Sequence, residues 1–408
     1  MVRLNKDILY SLFEYLEDNL YSCLLVNKTW CEIIVLFLWK DPWNGLVYFR
    51  SEMILLNVII LHIQDEAKIK EIYNYLENSK IYMALPLLNY ISFCKHLNLG
   101  SIMNITKNID DLSERLIVKD EIFKLFINKN VNITHLYIPR KFNYQIHLIP
   151  EAKICLSKIK FLSCYASINN NILTGLSECS KKLVNVYFRR YTYWEPQDEL
   201  PFCEILENSL IKHSNTIQYF TGFKPFTTEI LSSWANLKSL ELYEFPVKYL
   251  ISLVESTKRS LIIIELYNII YLKNENERII HTIYQNCPKL IYLTFTPQDD
   301  NILEIEKLLT TCQYLNGLHI ISKNDFNWNK FFNVLAKISP INLNCAPKIF
   351  IDNWKGRNPI FLKLQGEITI EMEYLLEEYE VKGRIVNYDE CIRSYQLEIF
   401  VIDCNIEL

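Results

Sequence analysis

Leu237-Lys238-Ser239-Leu240-Glu241-Leu242 is followed 24 residues later by Leu261-Ile262-Ile263-Ile264-Glu265-Leu266. Both hexamers have the form L-x-x-L-x-L, with Ile264 standing for the central Leu in the second. In the second half of each, the aliphatic positions alternate and so share one face of a strand. Between the hexamers, Leu250-Ile251-Ser252-Leu253-Val254 has the spacing of an amphipathic helix. The unit reads strand, helix, strand. A strand that reaches the next one through a helix predicts a parallel pair.

The same unit returns on both sides. Toward the N-terminus it is Ile217–Gly222, Leu183–Phe188, Ile159–Cys164 and Ile133–Ile138. Toward the C-terminus it is Leu290–Phe295, Leu315–Ile320 and, more weakly, Ile338–Leu343. Starts recur about every 25 residues, inside the range of leucine-rich repeats. Cys287-Pro288-Lys289-Leu290 and Cys312-Gln313-Tyr314-Leu315 resemble the Cys-ended helix-to-strand turn of cysteine-containing members of that repeat family. The family places Asn or Cys three residues after the last strand Leu. Here those places hold Lys141, Ser167, Tyr191, Pro225, Phe245, Ile269, Gln298 and Lys323. The side-chain ladder of that turn is therefore expected to be missing, and the array degenerate. The competing reading is an ordinary α/β domain. No Gly-rich strand-to-helix turn is present to make that domain a nucleotide-binding one.

In such strands the Leu positions point inward and the x positions face the concave surface. Tyr137, Phe161, Tyr187, Tyr219 and Tyr292 occupy x positions. Strands about 4.8 Å apart would set these rings in one contiguous row, and aromatic rings are common interface anchors. With Trp194, from the insertion Arg189–Pro201, they are the candidate target-binding residues. The plainer reading is that a C-terminal tail covers them.

The first forty residues have another character. Ile8, Leu9, Leu12, Phe13 and Leu16 make one apolar stripe on a helix, with Asn5 as its cap. Leu20–Trp30 and Ile33–Trp39 continue as short apolar segments. Three small helices cannot bury this much apolar surface among themselves, so the remaining chain or a partner covers it. Leu4, Asp7-Ile8-Leu9, Leu12-Phe13, Tyr15-Leu16, Leu20, Val26 and Trp30, in that order, resemble an F-box. The continuation Cys23–Cys31 and Leu38-Trp39-Lys40-Asp41-Pro42-Trp43 is similar to the version in large fungal F-box families. Asn5 stands where that motif usually has Pro, and the gap from Leu16 to Leu20 is tighter by about one residue.

The resemblance implies docking onto a Skp-type adaptor and through it a cullin, with Leu4, Ile8, Leu9, Leu12, Leu16, Leu20, Val26 and Trp30 as the adaptor-binding residues. It implies a substrate-recognition subunit of a ubiquitin ligase that holds a target protein and performs no bond chemistry. The alternative is a protein-interaction scaffold outside the ubiquitin system.

Composition agrees with a non-catalytic role. Among 408 residues half are hydrophobic, only 8 are Gly, and the net charge is −4. No basic run suggests nucleic acid. The apolar runs Ile33–Trp39 and Ile54–Leu61 are too short to span a bilayer. Twelve Cys without a CxxC pair suggest neither zinc nor a disulfide framework. No hydrolase, metalloprotease, P-loop or kinase motif occurs, the His are scattered, and no cofactor is expected. The expectation is an intracellular protein, cytoplasmic or nuclear. Its fold class is α/β with a mostly helical N-terminus. An F-box three-helix motif spans 1–45 and a helical linker 46–120. A leucine-rich-repeat-like solenoid with a curved parallel sheet spans 121–365, and a cap or tail 366–408.

Overall fold

The computed structural model describes residues 5–67 and 88–321, apart from 15, 17–19, 45, 47–48, 64, 66, 166–167, 190–203, 224–233, 270–274, 299–300 and 316, together with 330 and 361–365. The chain divides into two compact units, residues 1–222 and 223–408.

The first unit opens with α1 (Lys6–Glu14), α2 (Leu20–Cys23), α3 (Lys28–Leu38) and α4 (Phe49–Ile60). Strands and helices then alternate: β1 (His96–Asn98), α5 (Leu99–Thr106), α6 (Leu112–Phe126), β2 (His135–Tyr137), α7 (Ala152–Cys155), β3 (Phe161–Cys164), α8 (Asn170–Cys179), β4 (Asn185–Phe188), α9 (Glu204–Lys212) and, at the boundary, β5 (Tyr219–Phe223). Each of these strands pairs in parallel with the next in the chain. The second unit holds β6 (Ser239–Tyr243), α10 (Val247–Ser256), β7 (Ile263–Tyr267), α11 (Glu275–Asn286), β8 (Tyr292–Phe295), α12 (Ile302–Thr311), β9 (Gly317–Ile321) and β10 (Phe361–Gln365). Its strands also pair in parallel and in chain order. The architecture is α/β with parallel, sequentially ordered strands.

The period-2 pattern explains the strands. Leu240, Leu242, Ile264 and Leu266 are fully buried, while Ser239, Glu241, Tyr243, Ile263, Glu265 and Tyr267 are half-buried on the other face. Helix α10 answers with Leu250, Leu253 and Val254, all fully buried. Each such side chain contributes about 1.5–3 kcal/mol relative to exposure. Asn98, Asp111 and Asn169 cap α5, α6 and α8 with side-chain oxygens that accept N-terminal amides.

The strand entrances repeat one device. Two consecutive amides donate to a single carbonyl one repeat earlier. Lys160 and Phe161 use the Thr134 carbonyl at 2.9 and 3.0 Å, Val184 and Asn185 that of Lys160, and Ile262 and Ile263 that of Lys238. Side chains reinforce it. The Thr216 hydroxyl donates to the Leu183 carbonyl at 2.6 Å and Ser260 to Leu237 at 2.5 Å. The thiols of Cys155 and Cys312 reach the carbonyls of Phe126 and Cys287 at 3.5 Å. Side-chain links between repeats thus exist at the strand entrances, the Cys-ended turn at Cys312 among them. Glu244 and Asn268 hold equivalent positions one residue past β6 and β7, both at φ 51°.

Two expectations change. Strand β1 lies inside the segment read as a helical linker. The buried residues Cys94, Leu97 and Leu99 in and beside it keep the repeat's spacing, but Cys94 replaces the leading Leu and Leu99 already begins α5. The segment expected to end at residue 45 is hydrogen-bonded to the entrance of β1. The amides of Lys95 and His96 donate to the Lys40 carbonyl at 2.9 and 3.1 Å, so Lys40 stands where an earlier repeat would stand. The segment Ile338–Leu343, the tail 366–408 and residues 68–87 of the expected helical linker lie outside the described residues.

Candidate partner-binding surfaces

The N-terminal helices pack around Leu9, Phe13, Leu20, Ile33 and Ile34, with Cys23, Leu24, Trp30, Phe37 and Leu38 against them. Phe13 meets Trp30 edge-on at 5.0 Å between centroids, and Tyr10 meets Phe37 at 4.6 Å. The Asn27 side chain caps α3 by accepting the Trp30 amide at 3.0 Å, worth about 1 kcal/mol. The Asn5 side-chain oxygen lies 3.4 Å from the Asp7 amide at the start of α1.

The stripe on α1 splits into two. Leu9 and Phe13, four residues apart, are core. Ile8, Leu12 and Leu16, also at four-residue steps, are 56, 42 and 40% exposed. Val26 and its neighbour Leu25 are also exposed, Leu25 at 93%. Of the eight residues proposed to touch an adaptor, Ile8, Leu12, Leu16 and Val26 are therefore presented to solvent and Trp30 is half-buried. Leu9 and Leu20 face inward, a correction to their assignment as contact residues. A wide apolar stripe has one half that makes the motif and one half that is left over. Leu4 lies outside the described residues. Leu25 was missed, because its neighbours are apolar all round and no periodicity singles it out.

The motif is tied to the first strand. Trp39 stacks on Tyr90 at 5.2 Å. The Trp43 indole nitrogen donates to the His96 carbonyl at 2.7 Å, and His96 Nδ1 lies 3.0 Å from the Asp41 carboxylate.

The half-buried strand face of the first unit carries rings in two registers rather than one row. His96, His135, Phe161, Asn185 and Tyr219 align in one, and Asn98, Tyr137, Ser163, Tyr187 and Thr221 in the other. Tyr187 and Tyr219 therefore do not hold equivalent positions, and Ser163 and Asn185 interrupt the expected series. Contact runs diagonally, with Tyr137 and Phe161 5.2 Å apart. Two rings missed in the sequence extend it. His96 stacks on His135 at 4.0 Å, and His135 on Phe161 at 5.3 Å. Arg189 lies 5.8 Å over Tyr137 and donates to the Ser163 hydroxyl at 2.8 Å. Burial, then the neighbouring His96 and Lys40, push His135 down to about 4. The rings of this face are half-buried. Tyr292 lies in the second unit, in register with Ile263 and Gly317. Trp194 lies outside the described residues.

Among the described residues there is no group of three metal-ligating side chains. No helix among them is long and apolar enough to cross a membrane. The described cysteines are free, and burial raises the thiols of Cys155 and Cys312 to about 11 and that of Cys164 to about 12. Such thiols are poor nucleophiles at neutral pH. No protein-family model matches the chain, and no curated protein matches it in sequence.

Proposed function

We propose that this chain is the substrate-recognition subunit of a ubiquitin ligase built from a Skp-type adaptor, a cullin and an F-box protein. In this reading α1–α3 are an F-box motif that docks the adaptor. The sequential strands are a leucine-rich-repeat-like solenoid whose open face holds the target protein. The chain positions its target and leaves bond chemistry to other subunits, in the cytoplasm or nucleus.

The observation that carries the reading is the leftover face of α1. Ile8 and Leu12 on this helix, and Leu16 just past its end, are solvent-exposed, while Leu9 and Phe13 on its other side are in the core. Continuous apolar side chains at four-residue steps fit a helix-binding groove in a partner. The Lys40 carbonyl, which accepts the Lys95 and His96 amides, fastens this segment to the entrance of β1. The test is co-expression with a Skp-type adaptor and purification on a tag carried by this chain. Stoichiometric capture is expected, and capture lost in an Ile8→Asp, Leu12→Asp variant. A natively folded chain that captures no adaptor overturns the assignment.

A further inference from the structure

At the amino-terminal ends of β2–β4 lies a groove of about 340 Å³, lined by Thr134, Ser157, Lys158, Ile159, Lys160 and Lys182. Ile159 is buried beneath it, and the three lysines are exposed. The chain as a whole is acidic, with net charge −4, yet no carboxylate lines this groove. None of the three lysines forms an ion pair with a described residue.

The repeat places these charges side by side. Lys158 and Lys182 are 24 residues apart, one repeat, and the Lys181 amide donates to the Ser157 carbonyl at 3.4 Å, which sets the two segments in step. The same 24-residue offset pairs Phe161 with Asn185 on β3 and β4, so Lys158 and Lys182 hold corresponding places just before the two strands. Lys160 adds a third charge at the entrance of β3, where its carbonyl accepts the amides of Val184 and Asn185. Three cations over two repeats, without internal counter-charge, match an anionic ligand that carries several charges in an extended array.

We propose that this groove binds an acidic peptide segment of a partner protein, its carboxylates held by Lys158, Lys160 and Lys182. A nucleic acid fits less well, because no ring lines the groove on which a base would stack. The inference rests on the reading of the repeats as the target-holding part of the chain. It does not involve the adaptor surface.

The test uses the full chain without adaptor. Anisotropy of a labelled Glu/Asp-rich dodecapeptide is compared with that of its Gln/Asn counterpart and of a single-stranded RNA of similar charge. The acidic peptide is expected to bind, the neutral one not. Lys158→Gln, Lys160→Gln and Lys182→Gln together should weaken binding by at least about tenfold. Raising salt from about 50 to about 300 mM should weaken it as well. Equal binding of acidic and neutral peptides, or tighter binding of RNA, overturns the proposal. So does an unchanged affinity in the triple variant, with circular dichroism showing the same fold. Any of these results leaves adaptor capture, measured separately, as it was.

Discussion

The ring of Tyr292 occupies the space that a side chain at Gly317 would need. The two residues are register partners on β8 and β9, and a Cβ at position 317 would lie 2.2 Å from the ring. The glycine is thus a packing requirement of its neighbour. Gly317→Ala should lower stability by about 1–3 kcal/mol, the usual cost of overpacking. Tyr292→Ala made in the same chain should recover part of that loss. Urea denaturation of the two single variants and the double variant measures the coupling. Additive effects would show that the ring is not what excludes a Cβ.

The two faces of α1 make opposite predictions. Phe13→Ala removes a fully buried ring that packs on Trp30 and should cost about 3–5 kcal/mol, enough to unfold the motif. Leu12→Asp changes a residue 42% exposed and should shift stability by no more than about 0.5 kcal/mol while abolishing adaptor capture. Thermal melting beside a pull-down separates them. Equal loss of stability in both variants would mean that Leu12 belongs to the core.

Strands such as β6 and β7 were legible because each keeps an alternating pair of buried apolar residues, Leu240 and Leu242 in one and Ile264 and Leu266 in the other. β1 was not: Cys94, Leu97 and Leu99 keep the same spacing and are fully buried, but Cys94 stands in place of the leading Leu and Leu99 already opens α5. The split of the α1 stripe was also hidden. Ile8 and Leu9 are equally apolar, and only packing against α3 decides which turns inward. The ring registers failed for a similar reason. L-x-x-L-x-L has x positions on both sides of its central Leu, so Phe161 and Tyr187 share a motif while sitting two residues apart along the strand. The role of Lys40 was beyond sequence reasoning, since a backbone carbonyl leaves no mark on residue type.

Acid should weaken the first unit through His135. Its folded-state value, held near 4 by burial and by His96 and Lys40, lies below the ordinary 6.5, although Asp41 pulls the other way. Between those values the unfolded chain binds a proton that the folded chain does not, so stability falls as pH drops from about 6.5 toward 4. The ring is half-buried, and solvent keeps the slope below the limit of about 1.4 kcal/mol per pH unit for one proton. His213, lowered by burial and then by Lys212, adds in the same direction. His135→Phe keeps a planar ring between His96 and Phe161 and should flatten the profile. Urea midpoints at a series of pH values check it. An unaltered slope in the variant would place the acid sensitivity elsewhere.

Truncation tests how the motif joins the sheet. The Lys40 carbonyl accepts the two amides that open β1, Asp41 meets His96, and Trp43 donates to the His96 carbonyl. These three contacts cover the first edge of the ladder, the kind of edge that otherwise recruits a second chain. Removing residues 1–38 deletes the helices proposed to bind the adaptor and spares all three. Removing 1–45 takes them as well and leaves the amides of Lys95 and His96 without the Lys40 carbonyl. The shorter deletion should abolish adaptor capture and remain monodisperse in size-exclusion chromatography. The longer one should lose the same capture and also aggregate, with earlier hydrogen exchange in β1 than in β3. If both deletions behave alike in solution, Lys40 to Trp43 is a passive linker and the sheet edge is protected by something else.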